Sequence, residues 1–331
     1  MAGALSVVRA AICREYGPPE VIEIGEFPLP ALEPGQVRVG VEAASVNFPD
    51  VLFVANEYQF SVPPPFVPGS ELAGIVLDMA DDVRTFQVGD RVFGTVTVGA
   101  FAEEIVLPAR SLTALPDGIA AGAAAAFGVA HRTAYHVLRS VAAVQHGQEL
   151  VVLGAGGGVG LAAVQLGVLL GATVTAVASS NEKLAVASEC GATHLVNHRT
   201  DDLRQALKNL LPKGADVVID PVGGELAEPA LRCLHYGGRF VTVGYASGII
   251  PRIPLNLVLL KGMQILGFQF IDFATHRAEE LERNEAELLE LLGSGRVSPH
   301  IGARFSLDEA AAALRYVADG RAIGKVLLDI G

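Results

Sequence analysis

The stretch Glu149–Lys183, ELVVLGAGGGVGLAAVQLGVLLGATVTAVASSNEK, constrains this chain more than any other. An apolar run, Leu150–Leu153, is short enough for a buried strand and ends at glycine. The turn Gly154-Ala155-Gly156-Gly157-Gly158-Val159-Gly160 follows, then a helix-forming segment, Leu161–Leu170, closed by Gly171. A second apolar, β-rich run covers Thr173–Ala178. No charge stands between Glu149 and Glu182, so a membrane span competes as a reading. Glycines, Gln165 and two threonines interrupt the stretch, and no apolar run long enough to cross a bilayer survives. The stretch reads as strand–turn–helix–strand.

The chemistry of such a turn is backbone chemistry. Glycines at 154, 157 and 160 let the main chain turn tightly, approach a pyrophosphate and pack helix on strand. Unpaired N–H groups at the helix N-terminus, reinforced by its dipole, then receive the phosphate. The spacing is GxxGxxG, a loose match to the dinucleotide fingerprint GxGxxG. The acid expected about 20 positions on, to hold a ribose 2′-hydroxyl, is missing. In its place stand Ser179-Ser180-Asn181 and then Glu182-Lys183. Small hydroxyls with a lysine suit a 2′-phosphate, hence NADPH over NADH; Ser179-x-x-Glu182 also fits a helix capping box.

At 331 residues the chain can bury two cores, and 51% hydrophobic against 18% charged residues excludes disorder. A net charge of −12 without a basic run argues against a nucleic-acid partner. Cys13, Cys190 and Cys233 share no CxxC spacing, which fits a reduced thiol environment. No signal-peptide pattern opens the chain, so a cytoplasmic enzyme without a membrane partner is expected.

Residues 1–125 read as β-rich, with strands at Ala10–Cys13, Val21–Glu26, Gln36–Ala44, Gly74–Met79, Arg91–Thr97 and Phe101–Leu107. Asn47 to Tyr58 reads as a short helix or turn, ended by the proline cluster beyond it. From 126 to 270 strands alternate with helices, which predicts a doubly wound parallel sheet with a last strand at Gln264–Phe270. The helix at 129–143 carries His131, Thr133 and His136, and both histidines read as ordinary helix residues. Residues 271–331 add an amphipathic helix, Glu279–Leu292, a helix capped by Ser306-x-x-Glu309, and a closing strand, Gly324–Ile330, assigned to the first domain.

Several motifs, in order along the whole chain, carry a family resemblance. They are Val46-Asn47-Phe48-Pro49-Asp50, Val67-Pro68-Gly69-Ser70-Glu71-Leu72-Ala73-Gly74, Gly89-Asp90-Arg91-Val92-Phe93 and the Gly154–Gly160 turn. Gly214-Ala215-Asp216-Val217-Val218, Asp220-Pro221-Val222-Gly223-Gly224 and Gly324-Lys325-Val326 follow. The chain resembles the medium-chain dehydrogenase/reductase superfamily, in its zinc-free quinone oxidoreductase (zeta-crystallin-like) branch. The resemblance implies an α/β protein: a GroES-like, partly antiparallel β catalytic domain with a Rossmann domain inserted in its sequence. Ser70 stands where the superfamily's alcohol dehydrogenases place a zinc-ligand histidine, and three cysteines without ligand spacing build no zinc site. A metal-free enzyme is expected.

The resemblance further implies Gly156, Gly157, Gly158 and Val159 on the pyrophosphate of NADPH, with Ser179, Lys183 and His198 at the 2′-phosphate and adenosine end. Val243, Gly244, Tyr245, Phe268, Gln269 and Phe270 flank the nicotinamide, with Thr133 close to it. Asn47, Asp50 and Tyr58 are the candidate catalytic residues. Turn chemistry is the alternative for Asn47, Asp50 and His198, and loop packing for Tyr58. Leu52 stands where the branch commonly has an aromatic. The expected reaction is hydride transfer from NADPH to a quinone. An alkenal or enoyl-thioester reductase is the alternative, and an NADPH-binding protein with little turnover a further one. A homodimer joined at the edge strand Gln264–Phe270 is expected, because an uncovered apolar edge invites pairing.

Overall fold

The computed structural model describes residues 6–331. One compact unit runs to Val129 and resumes from Ser298 to Gly331; the other is Ala130–Val297. The sequence reading divided the chain at 125 and 270. The helix Ala278–Gly293, which that reading gave to the catalytic domain, belongs to the second unit.

Fifteen strands are found among the described residues. In the first unit β1 is Val7–Cys13, β2 Ile22–Pro28, β3 Gln36–Val46, β4 Glu71–Met79, β5 Arg91–Thr95, β6 Glu104–Pro108 and β7 Leu112–Ala114. In the second β8 is Glu149–Leu153, β9 Thr173–Ala178, β10 His194–Asn197, β11 Ala215–Asp220, β12 Leu234–Thr242 and β13 Gln264–Gly267. The chain returns to the first unit with β14, Ile301–Ser306, and β15, Lys325–Asp329.

In the first unit a seven-stranded sheet runs β14-β15-β3-β4-β5-β7, with β6 on β3, and β1 pairs β2 separately. All pairs are antiparallel except β14 with β15. β3 alternates as a half-buried strand must: Val37, Val39 and Val41 point into the core while Gln36, Arg38 and Gly40 are more exposed. The short helix Phe48–Ala55 stops at Asn56, whose positive φ of 56° closes it before Tyr58. The sequence reading did not identify β14.

In the second unit six parallel strands lie in the order β10-β9-β8-β11-β12-β13. Leu150–Leu153 is wholly buried, as a strand covered on both faces requires. The strand order reverses between β8 and β11, and such a sheet offers its ligand crevice there, beyond the carboxyl ends of the strands. Two expected boundaries change. The strand expected through Phe270 ends at Gly267, because the Gln269 side chain accepts from the Asp272 N–H at 2.7 Å and starts a helix, Phe270–His276. The helix-cap serine is Ser180 rather than Ser179, its hydroxyl accepting from the Lys183 N–H at 3.3 Å.

The glycine turn is set by a close approach. A Cβ on Gly160 would fall on the carbonyl of Gly154, whereas one on Gly157 would meet only that oxygen, at 3.6 Å. Gly160→Ala is therefore expected to destabilise the fold by about 1–3 kcal/mol or more through overpacking against backbone. Gly157→Ala should cost under about 1 kcal/mol. Denaturant midpoints of the two variants check this; equal losses would refute it.

Candidate functional site

In the second unit the strand ends gather nearly all of the residues named for the cofactor. β8 delivers the turn with Gly156, Gly157, Gly158 and Val159, and the helix Gly158–Leu169 starts inside it. β9 delivers Ser179, and β10 delivers His198, whose N–H donates to the Ala178 carbonyl at 3.1 Å. β12 delivers Val243, Gly244 and Tyr245, the Val243 N–H donating to Asp220 O at 2.8 Å. β13 delivers Phe268, Gln269 and Phe270, Phe268 donating to Thr242 O at 3.1 Å. Thr133 comes instead from the helix Gly128–His136, three residues before His136 and on the same side of it.

The adenosine-side candidates share a positive field. Burial, and then the charge of Arg199, push the Lys183 ammonium below its ordinary range. The same two causes lower His198, although its own hydrogen bonding opposes them, and Lys183 adds to the lowering. Arg199, outside the sequence-named set, therefore belongs with these cations. The Lys183 stem lies against the turn: a Cβ on Gly156 would meet its Cβ at 2.5 Å and Cγ at 2.6 Å. An anion of two or more charges suits such a cluster.

In the first unit Asn47 and Asp50 open the helix Phe48–Ala55, with Asp50 Oδ2 accepting the Asn47 N–H at 2.7 Å. The Asn47 carboxamide is engaged at both ends. Its Nδ2 donates to Glu71 Oε1 at 2.8 Å and Ser70 Oγ at 3.2 Å, and its Oδ1 accepts from Lys325 Nζ at 2.5 Å. Lys325 Nζ also meets Glu71 Oε1 at 2.6 Å, in an ion pair 4% and 1% exposed at its side chains. Glu71 Oε2 takes the Val129 N–H at 2.7 Å.

Asp50 is fully buried, and its Oδ1 has no hydrogen-bond partner among the described residues. Burial pushes its carboxyl up to about 7; the Asn47 N–H, the Ser70 hydroxyl and, less, the Lys325 charge oppose this, and Glu71 adds to it. Tyr58 completes an aromatic triangle, its ring 4.4 Å from Phe53 and 5.2 Å from Phe60, while Phe53 and Phe60 lie 5.4 Å apart. Burial, then the Asp50 charge, raise its phenol. The sequence reading missed Lys325 and Glu71 as site residues. Glu71 next to Ser70 was the available signal, but its partner lies 254 residues away.

The alcohol dehydrogenase GroES-like domain family matches residues 33–117, and the zinc-binding dehydrogenase family matches 158–287. Among the described residues no three His, Cys, Asp or Glu side chains converge to hold a metal ion. Quinone oxidoreductase-like protein 2 of Bos taurus is 37% identical over 97% of this chain and 92% of its own. The quinone oxidoreductase of Homo sapiens is 30% identical over 99% of each. The structure of Escherichia coli quinone oxidoreductase complexed with NADPH matches with a TM-score of 0.88 and 28% identity, over 98% of this chain and 99% of that one.

A raised Asp50 gives stability a pH dependence of definite sign. Below about 4 the carboxyl is protonated whether folded or unfolded; between about 4 and about 7 the unfolded chain ionises first, so stability falls as pH rises. Asp50→Asn, which retains an acceptor for the Asn47 N–H, should remove that slope and stabilise the protein at pH 8 by on the order of 1–4 kcal/mol. Urea denaturation of both proteins from pH 4 to pH 8 measures it; parallel curves would refute it.

Proposed function

This chain belongs to the medium-chain dehydrogenase/reductase superfamily, in its quinone oxidoreductase branch, and we propose that it reduces quinones with NADPH. The observation that carries the reading is the cluster of Lys183, His198 and Arg199 beside a glycine turn, with Ser179 and Ser180 following β9 where an NADH enzyme needs an acid. The likeness to an NADPH-complexed quinone oxidoreductase supports it.

The residues fit the cofactor. Backbone N–H groups of Gly156, Gly158 and Val159 would receive the pyrophosphate, while Gly157, whose own N–H donates to Gly154 O at 3.0 Å, leaves room through its open face. Ser179, Lys183, His198 and Arg199 would take the 2′-phosphate. Thr133, Val243, Gly244, Tyr245, Phe268, Gln269 and Phe270 would orient the nicotinamide. NADPH, when bound, supplies the hydride. This chain's part is to orient the reactants and to hold a proton, with Asp50 and Tyr58 as the acids and Asn47 capping the helix that carries Asp50.

A second reading, an alkenal or enoyl-thioester reductase, is favoured by those two raised acids, since an alkene needs a proton as well as a hydride. We further propose a homodimer. β13 is an edge strand, and Leu255, Leu259, Leu260 and Ile265 near it are exposed apolar side chains.

Three outcomes follow. Lys183→Ala should weaken NADPH binding by about 1–3 kcal/mol, the range of a charge-assisted hydrogen bond, and hardly change NADH binding. Calorimetric titration with each nucleotide decides it, and equal losses would remove the 2′-phosphate role. Tyr58→Phe keeps the ring and removes the hydroxyl. It should lower kcat for a 2-alkenal by about 10²-fold and kcat for a quinone less, because solvent can protonate the hydroquinone. Unchanged rates on both would leave Tyr58 a packing residue. Sedimentation at micromolar concentration should give twice the chain mass, and Leu259→Glu should halve it; a monomeric wild type would end the dimer proposal.

A further inference from the structure

His136 is a buried titratable side chain that this reaction does not use. It ends the helix Gly128–His136 and has no exposed surface. The next turn, Val137–Val141, is π-helical, with the Ala142 N–H donating to Val137 O at 2.7 Å. Such widened turns shift side-chain register and are frequent at functional sites. The imidazole is enclosed by Phe268, Phe270 and Phe273, with ring centroids at 6.4, 5.6 and 4.8 Å.

Both ring nitrogens are engaged. Asn284 Nδ2 lies 3.0 Å from Nδ1, and Glu285 Oε1 lies 2.9 Å from Nε2. The Arg283 guanidinium donates to Asn284 Oδ1 at 3.2 and 2.9 Å, so the amide nitrogen is the end that faces His136. That nitrogen only donates, which makes Nδ1 the acceptor and leaves the hydrogen on Nε2, pointing to Glu285. Burial pushes the Glu285 carboxyl up, but the hydrogen bond from His136 and the charge and hydrogen bond of Arg132 outweigh it and hold the acid below its usual range. Glu285 also accepts from Arg132 Nε at 2.7 Å, and the Arg132 guanidinium lies 4.6 Å over the Phe270 ring. One carboxylate thus fixes both the imidazole beside Phe268 and the cation covering Phe270.

We propose that His136, locked as the Nε2–H tautomer by Asn284 and Glu285, is a positioning residue for the segment Phe268–Phe270. It rests on the reading that this segment flanks the nicotinamide, and it acts through those rings without touching the cofactor. The Phe268 backbone is tied to Thr242 and Gln269 caps the next helix; the two phenyl rings then take their orientation from one another, from Phe273 and Arg132, and from the imidazole that both of them contact. Displacements of about 1 Å at a reacting pair can change rates by about 10²-fold, so such a plug matters to kcat more than to binding.

The test begins with the wild type: fluorescence titration with NADPH, where absence of binding would overturn both the proposed function and this inference. Nitrogen-15 NMR of labelled histidines should show His136 as the neutral Nε2–H tautomer; the Nδ1–H form or an imidazolium would overturn the inference alone. His136→Leu keeps volume and removes both hydrogen bonds. It should lower kcat about 10–100-fold with NADPH affinity changed less than about threefold, and raise the isotope effect for deuterated NADPH. His136→Gln, which can donate to Glu285 and accept from Asn284, should restore most of the loss. Leu207→Ala, a buried site on the helix Leu203–Leu210, should lower the unfolding midpoint without lowering kcat per folded molecule. If His136→Leu does not fold, Asn284→Leu carries the same expectation. Unchanged kcat in the variants, or an equal fall in Leu207→Ala, would reduce His136 to a core residue.

Discussion

No side chain fits between Gly160 and the carbonyl of Gly154, and the second unit is arranged around that close approach. It lets the helix Gly158–Leu169 begin immediately after β8 and dock against it, with its first N–H groups unpaired at the strand's carboxyl end. Parallel pairing then brings β9, β10, β12 and β13 to end on that same side. Residues as far apart in sequence as Gly156 and Phe270 share one rim because every strand points the same way. The cations collect on the β9–β10 side of the reversal and the aromatics on the β12–β13 side.

The first unit is organised by an imbalance of buried charge. Glu71 and Asp50 are two carboxyls, and Lys325 is the ammonium that neutralises one of them. Breaking a buried pair leaves an uncompensated charge and costs about 3–5 kcal/mol, so Lys325 and Glu71 must remain together. The closing strand β15 is thereby tied by charge, across β3, to β4, with which it does not pair, while burial pushes the unneutralised Asp50 carboxyl up to about 7.

Much of this was legible in sequence where the signal was local. Glycines at 154, 157 and 160, the strand–helix alternation after 149 and the Ser306–Glu309 cap were read from neighbouring residues; Ser306 Oγ does donate to Glu309 at 2.8 Å. Failures came where distant residues decide. Phe270 looked like the end of a strand, and a side-chain cap from Gln269 made it the start of a helix. His136 looked ordinary because Asn284 and Glu285 come from almost 150 residues later, and Lys325 read only as part of a closing strand because Glu71 stands 254 residues before it. β14 alternates only weakly, its residues half-buried at best, so its pattern does not stand out.

Two demands that oppose one another meet at Asp50, a charged acceptor at a helix N-terminus and a neutral group in the core. The geometry divides them between its oxygens. Oδ2 accepts the Asn47 N–H, which the carbonyl oxygen of a neutral carboxyl does as well as a carboxylate oxygen can in kind, though less strongly. Oδ1 is the buried atom without a partner, where a negative charge is most costly. The helix Phe48–Ala55 has eight residues, too few to persist without its cap and its buried face. Ionising Asp50 would strengthen the cap and oppose the burial at once. The protonation state of that carboxyl and the order of the segment leading to Tyr58 are therefore coupled through a single side chain.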